Sequence, residues 1–139
     1  MVLWRDAIKK SPNKAQVISD LGNAYFRRVP SDLNRAEQLY KWSAWADKSY
    51  FKAFHNLAIV NFKRGDDIFQ KDPAQAEEYY RTSIKYFWQA LDLSINPDSW
   101  NDIGTTYLRL KELEQAEKCY QQAVQVLSLI HISEPTRPY

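Results

Sequence analysis

The chain has 139 residues, a formal net charge of +2, one cysteine and two histidines. That length suits one domain with its own core. The near-neutral balance argues against nucleic acid as partner, the lone Cys119 excludes an internal disulfide framework, and no apolar run approaches the ~20 residues that a membrane-spanning helix needs.

Residues 2–11 read as a short helix that stops before Pro12, with Trp4 and Ala7 three positions apart. From Lys14 to Arg28, Ile18, Leu21, Gly22 and Tyr25 fall on one helical face. Pro30 and Ser31-Asp32 end that helix and cap the next, over Leu33 to Asp47, where Ala36, Tyr40 and Ser43 form the inward stripe. These two helices make a first hairpin over residues 14–47.

Residues 50–94 make a second hairpin with longer helices. Phe54, Leu57 and Ala58 are expected to occupy its inward face, with Asn61 in place of an aromatic. Pro73 to Leu93 reads as one unbroken helix capped by Asp72, with Ala76, Tyr80, Ser83, Phe87 and Ala90 on one stripe. A partner of matching length must run through Gly65 to about Gln70, at a cost of ~1 kcal/mol for an internal glycine. Ile68 and Phe69 would then pack on Tyr79 and Tyr80.

The third hairpin, residues 97–126, has the clearest pattern. Trp100, Ile103, Gly104 and Tyr107 share one face, and after the polar turn Lys111-Glu112-Leu113-Glu114 the stripe resumes with Ala116, Tyr120 and Ala123. Small residues let the partner helix approach and the aromatics fill the remaining space. This alternation resembles the tetratricopeptide repeat (TPR). The resemblance implies an all-α fold: a right-handed TPR superhelix, or α-solenoid, of antiparallel helix pairs with about three and a half repeats. Residues 2–11 are then the second helix of a truncated repeat, with Met1 expected either to be an internal methionine of a longer protein or to follow a lost natural start. The family's usual role implies a non-catalytic protein–protein interaction scaffold, binding a peptide or partner segment in a concave groove lined by each repeat's first helix.

Residues flanking the packing stripe are expected to face that groove. They are Asn23, Phe26 and Arg27 beside Ser19; Asn56, Ile59 and Lys63 beside His55 and Phe62; and Asn101, Thr105 and Arg109 beside Asp102 and Leu108. Arg27, Lys63 and Arg109 are expected in one register, as a basic stripe that either complements the helix dipoles or attracts an acidic peptide. Asn23 and Asn56 can each hold a peptide backbone, since an amide donates and accepts. Some TPR domains clamp a C-terminal carboxylate with two lysines, an arginine and two asparagines. Asn23 and Asn56 match the asparagines, but Ser19, Ser99 and Asp102 stand at the cationic positions, so that clamp is not expected.

No Gly-rich phosphate loop, Ser/His/Asp set or metal-ligand spacing is legible, so neither catalysis, metal nor cofactor is expected. Two further resemblances concern the ends. Residues 3–15 resemble the opening of TPR tails attached to multi-pass membrane glycosyltransferase-like proteins, which would place the groove outside the cytoplasm. Leu127 to Arg137 (LSLIHISEPTR) resembles the in-frame translation of a transposase adapter used in making sequencing libraries. Residues 127–139 are therefore expected to be a non-native tail, and His131 is set aside.

Overall fold

The computed structural model describes residues 13–133. The expected helix over residues 2–11, with Trp4 and Ala7, and the chain from residue 134 lie outside the described residues. Within them the chain folds into six α-helices: α1 (Lys14–Arg27), α2 (Leu33–Ala46), α3 (Phe51–Ile68), α4 (Pro73–Leu93), α5 (Pro97–Arg109) and α6 (Leu113–Ser133). They form three hairpins, α1–α2, α3–α4 and α5–α6, stacked so that α2 packs on α3, α4 packs on α5, and α1 also touches α3. The architecture is an all-helical solenoid of repeated helix pairs.

Caps set the boundaries. The side chains of Asp32, Asp72 and Asn96 accept hydrogen bonds from the backbone N–H groups of Arg35, Gln75 and Ser99. Pro73 and Pro97 open their helices, where a missing N–H costs nothing. α5 ends on Lys111, whose φ of 61° lies in the left-handed region, with the Glu112 N–H returning to the Tyr107 carbonyl at 2.9 Å.

The second helices follow the sequence pattern closely. Ala36, Ala76 and Ala116 are all buried, as are Tyr40 and Tyr80, and Ala76, Tyr80, Ser83, Phe87 and Ala90 line one stripe as expected. α3 runs through Gly65 and ends at Ile68, two residues short of Gln70. Phe69, just beyond it, remains 38% exposed at the edge of Tyr80.

The register of α3 differs from the expectation. The tyrosine rings of α2, α4 and α6 each lie on a glycine: Tyr40 on Gly22, Tyr80 on Gly65 and Tyr120 on Gly104. Gly65, and not Ala58, is therefore the counterpart of Gly104. The residue after each glycine meets the tyrosine hydroxyl: Tyr40 donates to Asn23 at 2.6 Å, Tyr80 donates to Asp66 at 2.5 Å, and Thr105 lies 2.9 Å from the Tyr120 hydroxyl. The serines agree, since Ser43 donates to the Ala15 carbonyl and Ser83 to that of Ala58. Gly65 is thus a packing contact as well as an internal glycine. Relative to the first hairpin, the extra length of the second lies at the beginning of α3 and the end of α4.

Those added turns are packed. The Trp88 ring meets Trp100 edge-on at 5.1 Å, and Phe87 meets His55 at 5.3 Å. Phe87 belongs to a core cluster with Ala58, Ile84, Ile103 and Cys119, while Ala36, Tyr40, Leu57 and Val60 form a second cluster between the first two hairpins. Burial raises the pKa of the Cys119 thiol, keeping it protonated. One inward assignment changes, since Leu21 is 40% exposed; Ser19, expected beside the groove, is buried and donates to Ser43 at 2.8 Å. α6 continues past Ser128 to Ser133, into the residues expected to be a non-native tail.

Candidate functional site

The first helices of the hairpins, α1, α3 and α5, share one face. α1 touches α3, and His55 of α3 reaches α5, its Nδ1 3.1 Å from the Ser99 hydroxyl. Where the three come together a cleft of about 260 Å³ opens. Gln16, Asp20 and Asn23 enter it from α1, Lys52, His55 and Asn56 from α3, and Asp98 from α5. The added turns of α3 supply its middle wall.

Asn23 and Asn56 both line this cleft. Asn23 has one amide oxygen engaged by Tyr40, whose pKa burial pushes up to about 12. The other expected groove residues are distributed differently. Phe26 packs against the cluster between α2 and α3, and Ile59 against the cluster around Phe87. Thr105 is held by the Asn101 carbonyl and Tyr120, while Asn101 and Arg27 are exposed.

The basic stripe does not form in one register. With Gly65 as the reference, Lys63 precedes its glycine while Arg27 and Arg109 follow theirs. Lys63 lies 3.5 Å from Asp67. Arg109 donates to Asp66 at 3.1 Å and covers the Phe62 ring at 5.2 Å. Two of the three cations thus face carboxylates, and the cleft itself sets Asp20 and Asp98 against Lys52.

Folding also assembles a set that no linear motif announced. His55 lies between Ser99 and Asp102, its Nε2 3.5 Å from the Asp102 carboxylate. Burial depresses the histidine pKa, with Asp98 opposing. Burial, reinforced by Asp98, pushes Asp102 up to about 6. The arrangement superficially matches a nucleophile, base and carboxylate, and so corrects the expectation that no such set exists. Ser99 is 0% exposed, and its backbone N–H donates to the Asn96 cap. The set is a half-buried joint between the second and third hairpins. The only sequence trace of it is the extra helical length before Gly65, which carries His55 out to α5.

Among the described residues no helix is long and apolar enough to cross a membrane, and no group of three or more His, Cys, Asp or Glu is placed to hold a metal ion. No curated protein matches the chain. Residues 97–127 match the family model of the tetratricopeptide repeat. That match falls on α5 and most of α6, the hairpin in which Tyr120 lies on Gly104. The chain is an all-helical repeat solenoid with a tetratricopeptide repeat over residues 97–127.

Proposed function

We propose that the chain is a non-catalytic protein-interaction scaffold that holds a peptide segment of its partner along the shared face of α1, α3 and α5. The supporting observation is the cleft to which all three first helices contribute, with Asn23 and Asn56 both in its lining. Their amides supply donors and acceptors for an extended backbone, which has both. Lys52, Asp20 and Asp98 give the cleft charge of both signs, so a segment of mixed polarity fits it better than a uniformly acidic one. Arg109 and Lys63 serve the reading less well than the sequence implied, because Asp66 and Asp67 occupy them.

Selecting peptides from a displayed random library on the whole chain tests this. Selected peptides should lose at least tenfold in affinity for Asn56→Arg, which fills the cleft, while helicity and melting temperature stay unchanged. Peptides that bind the variant as well as the original chain would refute the groove.

A further inference from the structure

Most carboxylates on the first helices are matched within the fold. Asp66 accepts from Arg109 and from the Tyr80 hydroxyl, Asp67 lies 3.5 Å from Lys63, and Asp102 faces His55. Asp20 of α1 and Asp98 of α5 are the exceptions. Neither makes an ion pair or a side-chain hydrogen bond among the described residues. Both are exposed and line the cleft of about 260 Å³, from the two helices that flank α3 there. Asp98 stands in the first turn of α5, where a carboxylate complements the helix dipole. Asp20 lies in the middle of α1 and has no such role.

The balance inside the cleft is negative. Lys52 lines it but pairs with neither carboxylate. Burial keeps His55 neutral, and Asp102 adds a further carboxyl beside it. The field of the unmatched pair is felt by the walls: Tyr50 is raised by burial and then by Asp20, and Asp102 by burial and then by Asp98. Tyr50 and Phe51 supply aromatic surface between them.

We propose that the cleft selects its partner segment by charge, taking an arginine or lysine side chain whose head meets Asp20 and Asp98 and whose stem lies on Tyr50 and Phe51. The selectivity belongs to the groove proposed above and rests on that proposal. A basic head entering here gains two carboxylates without breaking an existing pair, whereas one approaching Asp66 or Asp67 must displace Arg109 or Lys63. Long basic side chains lay their methylenes on apolar surface while the head stays among polar groups, which is what the aromatic wall and the carboxylates together offer. Complementary charge of this kind sets which segment is accepted more than it sets raw affinity.

The test selects peptides from a displayed random library on the whole chain, and in parallel on the double variant Asp20→Lys, Asp98→Lys. Peptides from the original chain should share an arginine or lysine at one position, and those from the double variant an aspartate or glutamate. In a single selected peptide, exchanging the basic residue for glutamate should cost about tenfold in affinity for the original chain, and the double variant should recover most of it. Asp20→Asn, away from any helix end, should by itself weaken binding about threefold with the melting temperature unchanged, which separates the effect from the start of α5. Peptides that are lost with Asn56→Arg, yet share no basic residue or bind Asp20→Asn and the double variant as well as the original chain, overturn the charge selection and leave the groove standing. Peptides indifferent to Asn56→Arg, or no saturable binding at all, overturn both.

Discussion

The ring of Tyr80 lies so close on Gly65 that a Cβ there would stand 2.6 Å from Tyr80 Cε1. Neither side can yield easily, because the ring is buried and its hydroxyl is tied to Asp66. Gly65→Ala should therefore destabilise the chain by about 1–2 kcal/mol, the overpacking cost outweighing the ~1 kcal/mol gained in helix propensity. Urea denaturation checks the sign. If the glycine were only an internal helix defect, the alanine would stabilise.

Arg64 joins the first two hairpins, donating to Glu37 and, at 2.8 Å, to Asn34. Both partners of the ion pair are largely screened from water, at 18% and 23% side-chain exposure. Arg64→Ala should cost about 1–2 kcal/mol, as expected for a charge-assisted hydrogen bond. A double-mutant cycle with Glu37→Ala should show coupling above about 0.5 kcal/mol. Additive effects would mean the contact contributes nothing across the joint.

The pair His55 and Asp102 gives the second joint opposing pH responses. Asp102 is raised to about 6, so its contribution favours the fold below the unfolded value near 3.8 and is lost as pH rises through about 6. His55 is depressed below 6.5, so its contribution is present above 6.5 and lost as pH falls. Asp102→Asn removes the first response and leaves the second. The variant should be more stable than the original chain at pH 7.5, by about 1–2 kcal/mol after discounting for partial exposure. That advantage should shrink as pH falls from 7 to 4. Melting curves across that range decide it, and an advantage that grows toward pH 4 would contradict the assignment.

Lys111 takes the left-handed conformation that ends α5, with φ at 61°. Glycine adopts it without the Cβ penalty, so Lys111→Gly should stabilise by up to about 1 kcal/mol. Thermal denaturation beside Lys111→Ala, which should not stabilise, separates backbone relief from loss of the lysine charge.

The second helices were legible because Ala36, Ala76 and Ala116, and Tyr40, Tyr80 and Tyr120, recur at even intervals of forty residues. The first helices were harder. Ala58 and Gly65 are both small and lie two turns apart on one stripe, so helical periodicity accepts either as the contact. What decides between them is the space that the Tyr80 ring requires, and that belongs to the other helix. The same ambiguity carried Lys63 into a stripe with Arg27 and Arg109. Asn23 and Asn56 were legible because their place depends on helix face alone. The contact of His55 with Ser99 was not, because it spans forty-four residues and needs the added turns of α3.

That added length has a geometric economy. Two α-helical turns are close to seven residues, and adding seven to a helix rotates its buried stripe by only ~20°. The added turns of α3 and α4 can therefore meet the third hairpin and wall the cleft while Gly65, Tyr80 and the contacts around them keep the pattern of the other repeats. Height along one rim and packing between repeats become independent variables. The rim could be raised or lowered in two-turn steps, changing what the cleft can reach without renegotiating how the solenoid is stacked.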